Sequence, residues 1–221
     1  MTNGADGIKS CEAIAADLAR METSHYYSED YELEWAAKSY FDTLTVVEQE
    51  RFIALMQERL SQQAGMADIA ICARLQNPAL TLLLADRLNE QEVSSSTSRA
   101  LLAALSHQAD EAAYSAVERF IDSELEGEAL MCMARMNFQR ALPHLQWALK
   151  QDHLHNFCLH AMHEYMRREG MDALLSALRS LVALDRDRLT AHLRKVMGSK
   201  QGPFNPFTAT ELDIVAGALT L

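Results

Sequence analysis

Four of the eight histidines fall between Asp152 and Glu164, and imidazole beside carboxylate is the pairing that binds transition metals or moves protons. On a helix, His153, Asn156, His160, His163, Glu164 and Arg167 share one stripe, because their offsets of 3, 7, 10, 11 and 14 residues return to one face. His160, His163 and Glu164, completed by His153 or by a neighbouring helix, form a candidate zinc or iron ligand set in donor type. The competing reading is a solvated polar stripe with incidental histidines, since the chain carries no second ligand cluster.

Other reactive groups are sparse. Gly-x-Ser-x-Gly is absent, and no glycine-rich loop precedes a helix to cradle phosphate. The carboxylates Glu29, Asp30, Glu32 and Glu34 read as an exposed charge run. Cys11, Cys72, Cys132 and Cys158 are far apart in sequence, with no Cys-x-x-Cys pair, and are expected to be structural thiols.

The elements that position these residues are expected to be helical throughout. Apolar residues make up 49% of the 221, enough for a buried core, while only four prolines and eight glycines interrupt good helix formers. The longest apolar run, Ala79 to Ala85, is too short to span a bilayer. Met1 to Lys9 have neither a basic start nor an apolar stretch, so a cytoplasmic location is expected.

A near-repeat organises the middle of the chain. The pairs Ala79-Leu80, Ala112-Ala113, Ala141-Leu142 and Ala173-Leu174 are spaced by 33, 29 and 32 residues, each within a similar apolar pattern. That period fits a two-helix unit, which buries its apolar face only by stacking on neighbours. Before the repeats, residues 8–22, 30–43 and those from Val46 onward predict three helices, the last opened by a Thr45–Glu48 capping box. With Tyr26, Tyr27, Tyr31, Trp35, Tyr40, Phe41 and Phe52 they read as an N-terminal cap over residues 1–63. Residues 64–199 read as about four hairpins plus a basic helix at 186–197. The first hairpin is expected to turn at Asn77-Pro78, the second near Gln108 to Asp110, and the fourth at Gly170. In the third, Pro143 is placed in the first turn of the second helix, and Glu92 to Ser98 reads as a polar loop. Residues 200–221 read as a Pro-containing loop and a terminal helix capped by Thr208 with Glu211, all within a single domain.

The segments Ala73-Arg74-Leu75-Gln76-Asn77-Pro78-Ala79-Leu80 and Ala134-Arg135-Met136-Asn137-Phe138-Gln139-Arg140-Ala141-Leu142-Pro143 resemble HEAT-like repeats over about residues 66 to 184. The resemblance implies an all-α, α-α superhelix of helical hairpins and, in general, protein binding. Tetratricopeptide repeats are similar through Ala116 with Phe120, but their Trp, Gly and Tyr positions are not met. Deoxyhypusine hydroxylase also resembles a HEAT solenoid and builds a di-iron centre from several His-Glu dipeptides; this chain has one, His163-Glu164.

Charge is unevenly divided along the sequence. Residues 1–126 hold 22 acidic and 9 basic residues, whereas residues 127–221 hold 9 and 11, giving −13 and +2 of the net −11. An acidic field repels nucleic acid and favours a basic partner. The leading expectation is therefore a non-catalytic protein-binding module, an adaptor, chaperone or immunity-type protein, that takes a basic protein on an acidic groove and needs no cofactor. Its contact residues would be Asp86, Glu90, Glu111, Tyr114, Glu118, Asp122, Trp147 and Lys150, with the aromatics as anchors. The alternatives are a metal-binding protein or metal-dependent enzyme using the His153–Glu164 segment, and a HEAT-like DNA glycosylase using Trp147, Arg140, Lys150 and Arg179.

Overall fold

The computed structural model describes residues 37–63, 65–90, 95–179, 191 and 206–219. The predicted helices at 8–22 and 186–197, and Cys11, Tyr26, Tyr27, Tyr31 and Trp35, lie outside them, save for residue 191. All regular structure among the described residues is helical, as the composition predicts, and no strand is present there. No helix among them is long and apolar enough to cross a membrane. The chain divides into two compact units, residues 1–117 and 118–221.

In the first unit, α1 covers residues 37–43, α2 is Val46–Gln63, α3 Met66–Ala73, α4 Pro78–Leu88 and α5 Ser95–Gln108; a 3-10 turn, Glu111–Ala113, leads into α6, Tyr114–Glu118, whose last residue is the first of the second unit. The Thr45–Glu48 box forms as read: the Thr45 amide and hydroxyl donate to Glu48 at 2.9 and 2.6 Å. Phe52 is buried under Tyr40 and Phe41, whose ring centroids lie 6.1 and 5.9 Å away. At α4 the Asn77 carboxamide accepts the Ala79 and Leu80 amides at 3.0 and 3.4 Å, and Pro78 takes the first helical position, where no amide hydrogen is needed. α5 starts at Ser95, so Ser95 to Ser98, read as loop, form its first turn; serines and threonine supply N-terminal hydroxyls as readily as they make loops. α2 packs on α3 and α4, and α5 packs on both α3 and α4.

The core of this unit contains a polar link. Thr81 Oγ1 donates to Gln108 Oε1, and Gln108 Nε2 donates to the Cys72 backbone carbonyl at 2.8 Å, all three residues being buried. This joins α4, α5 and α3 by directional bonds inside an apolar setting. Asp68 is also buried, and its carboxylate accepts from the Gly65 amide at 3.1 Å and Arg59 Nε at 2.5 Å. Ala109, just after α5, has φ of 52°, a left-handed conformation that reverses the chain toward Asp110 at some steric cost.

In the second unit, α7 is Glu126–Met136, α8 Phe138–Ala148, α9 His155–Glu169, α10 Met171–Arg179 and α11 Ala209–Leu219. α7 and α8 form one hairpin, α9 and α10 another; α9 packs chiefly on α7, and α11 on α10. One of these elements, α8, differs from the sequence reading. Helix beyond Glu118 gives way to turns because Ser123 donates to the Phe120 carbonyl and accepts the Leu125 amide, competing with the helical ladder. Pro143 lies inside α8 rather than in its first turn, because Asn137 caps the helix through the Arg140 amide at 2.9 Å and starts it at Phe138. Gln139 and Pro143 are both exposed, so the carbonyl that the proline leaves without a donor lies on the solvent side.

The α7–α9 contact depends on a small residue. A methyl at Gly127 would sit 2.5 Å from the Phe157 ring, so glycine sets how closely these helices meet. Gly170 ends α9 with φ of 93°, a conformation that glycine adopts without strain. Thr208 and Glu211 cap α11, with the Thr208 amide on the carboxylate at 2.8 Å. Phe207, Leu212 and Val215 are buried.

Candidate partner-binding surfaces

The histidine segment is not gathered into a ligand set. Glu164 is clamped by Arg135, whose Nε and Nη2 both donate to its carboxylate from α7. Burial pushes the Glu164 carboxyl upward, but the Arg135 hydrogen bonds and charge outweigh it and hold it below the ordinary range. The same hydrogen bonds raise Arg135. His163 meets the Phe207 ring edge-on at 5.1 Å, and burial keeps its imidazole below the usual value against the opposing pull of Glu211. His153 is drawn away to Glu126, 2.5 Å from Nε2, and His155 contacts the Leu149 carbonyl at 3.0 Å. Among the described residues, no three His, Cys, Asp or Glu side chains are placed to hold a metal ion. The single-helix reading of His160, His163 and Glu164 missed the cation that the neighbouring helix supplies.

The clamp makes stability pH-dependent. A folded-state pKa lowered below the unfolded value gives a contribution complete above about 4.5, lost as pH falls through the lower folded value. Glu164→Gln is expected to flatten the acid side of the stability curve and to cost about 1 kcal/mol at neutral pH, since both partners are partly solvated. Chemical denaturation across the pH range measures both effects.

Cys72, Cys132 and Cys158 are buried and form no disulfide, and burial pushes the Cys158 thiol up to about 12 and the Cys72 thiol further.

The predicted contact residues separate by unit. In the first, α4 buries Leu80, Leu84, Ala85 and Leu88, which turns Leu82 and Asp86 outward one helical turn apart. Leu82 is 50% exposed, and Glu90 is exposed two residues beyond the same helix with its carboxylate 2.6 Å from Arg87. Glu111 is exposed on the 3-10 turn that packs against α4. Tyr114 is a correction: it is fully buried, because Ala113, Tyr114, Ala116 and Val117 all turn inward, and it cannot anchor a partner. Leu82, within the run Ala79 to Ala85, is by contrast half-exposed.

In the second unit, Asp122 is exposed, while Glu118 is engaged by α8: His144 Nε2 lies 2.9 Å and Arg140 3.7 Å from its carboxylate. Trp147 is half-buried and Lys150 exposed on the outward side of the same segment. Comparison of the chain with protein-family models, with curated proteins and with solved structures finds no match.

Proposed function

We propose that this chain is a non-catalytic protein-binding module, built of HEAT-like hairpins, that takes a basic segment of another protein on the outward face of α4. The observation that carries this reading is Leu82, half-exposed in mid-helix one turn from Asp86 on a helix that Glu90 follows two residues after its end. An exposed leucine with a carboxylate one turn away combines an apolar anchor with charge that selects and orients a cationic partner. The net charge of −11 adds attraction at longer range. Glu111, on the turn against α4, extends the acidic surface.

Specific docking and general attraction can be separated. Asp86→Lys is expected to weaken binding of a basic, leucine-containing peptide about tenfold. Asp213→Lys makes the same charge change at an exposed site in α11 and is expected to have a small effect. Equal losses from both variants, measured by fluorescence anisotropy, would reduce the interaction to the overall field.

A further inference from the structure

We infer that the outward face of α8 is a second docking surface, of opposite preference, for an acidic segment of another protein. Residues 138–150 contain no aspartate or glutamate, although the chain has 31. Phe138, Ala141, Leu142, Leu145 and Ala148 face the core, which directs Arg140, Pro143, His144 and Trp147 to the other side of the helix, and Lys150 is exposed in the turn just beyond its end. Of these, Arg140 and the partly exposed Trp147 are residue types enriched at interfaces, and Lys150 adds a second fixed cation.

The chemistry of the occupant follows from what already sits there. The Glu118 carboxylate approaches this face between His144 at 2.9 Å and Arg140 at 3.7 Å, so a carboxylate is a ligand that it accepts. An acidic peptide would add a second carboxylate toward Lys150 and lay an apolar side chain on Trp147. Nucleic acid fits less well. It presents an unbroken line of phosphates, whereas this face has two fixed cations with Glu118 at one end. The net negative charge does not forbid an acidic guest, because at about 0.15 M salt remote charges are screened beyond about 8 Å while contacts on α8 persist.

The test uses the whole chain and a labelled short peptide of Asp and Glu around one Leu, with an Asn/Gln version as control. Anisotropy at about 0.15 M salt is expected to show the acidic peptide binding about tenfold tighter than the neutral one. Lys150→Glu should weaken it roughly fivefold and Trp147→Ala about tenfold, with helical content unchanged by circular dichroism. Asp86→Lys should leave it intact, which separates this surface from the one on α4. Equal binding of both peptides, or no response to Lys150→Glu at this exposed position, overturns the inference. Tighter binding of single-stranded oligothymidine, lost with Lys150→Glu, overturns it in favour of nucleic acid. Self-association that Lys150→Glu abolishes, without peptide binding, overturns it in favour of a second copy of this chain.

Discussion

Phe138→Ala is expected to destabilise the packing of α7, α8 and α9 by about 4 kcal/mol, the largest effect of any single substitution considered for this chain. Phe138 is 2% exposed and stacks on Tyr165 with centroids 4.0 Å apart and planes 10° from parallel. Above that stack, Arg168 lies 6.0 Å from the Tyr165 ring and donates to the Arg135 carbonyl at 2.8 Å. Removing the ring therefore opens a cavity and loosens the cap of a three-helix junction. A typical domain has only about 5–15 kcal/mol in total, so much of its margin would be lost. Phe138→Leu keeps most of the volume and should cost less than half as much. Thermal and denaturant unfolding followed by circular dichroism measures the difference; a loss below about 1 kcal/mol for the alanine variant would show that the cavity collapses.

Gln108→Leu comes next, at about 2 kcal/mol in the first unit. Leucine nearly matches the volume but neither donates to the Cys72 carbonyl nor accepts from Thr81. Those partners are not wholly stranded: the Cys72 carbonyl also receives the Leu75 amide at 3.2 Å, and the Thr81 hydroxyl lies 3.2 Å from the Asn77 carbonyl. That remaining satisfaction is why the cost is smaller than for an orphaned buried pair. Adding Thr81→Val should recover part of the loss, because it removes the hydroxyl whose partner has gone. A double-mutant cycle showing no coupling would contradict the bond between them.

Helix type and the local start and stop signals were legible because they depend on residues a few positions apart. Asn77-Pro78, Thr45 with Glu48, Thr208 with Glu211, and Gly170 all act within one or two turns, and each does in the structure what its residue type predicts. Pro143 was misplaced because Asn137 competes to start the helix earlier, a choice that proline spacing alone does not reveal. The long-range pairs were not legible. Arg135 and Glu164 are 29 residues apart, and Gln108 reaches Cys72 across 36, so each joins helices whose packing the periodicity does not specify. Tyr114 and Leu82 show the same limit at the candidate site. Both lie in apolar helical patterns, yet one is buried and the other half-exposed, because burial depends on which neighbouring helix covers each face.

The most direct measurement is to isolate the chain with its partners from its native source at low salt, then repeat with Asp86→Lys and with Leu82→Ser. Binding on α4 predicts one basic protein, stoichiometric at low salt, released at high salt, and lost with either substitution while the variants keep wild-type melting. A chain that emerges alone, or a partner that stays bound to both variants, would contradict the proposed docking face.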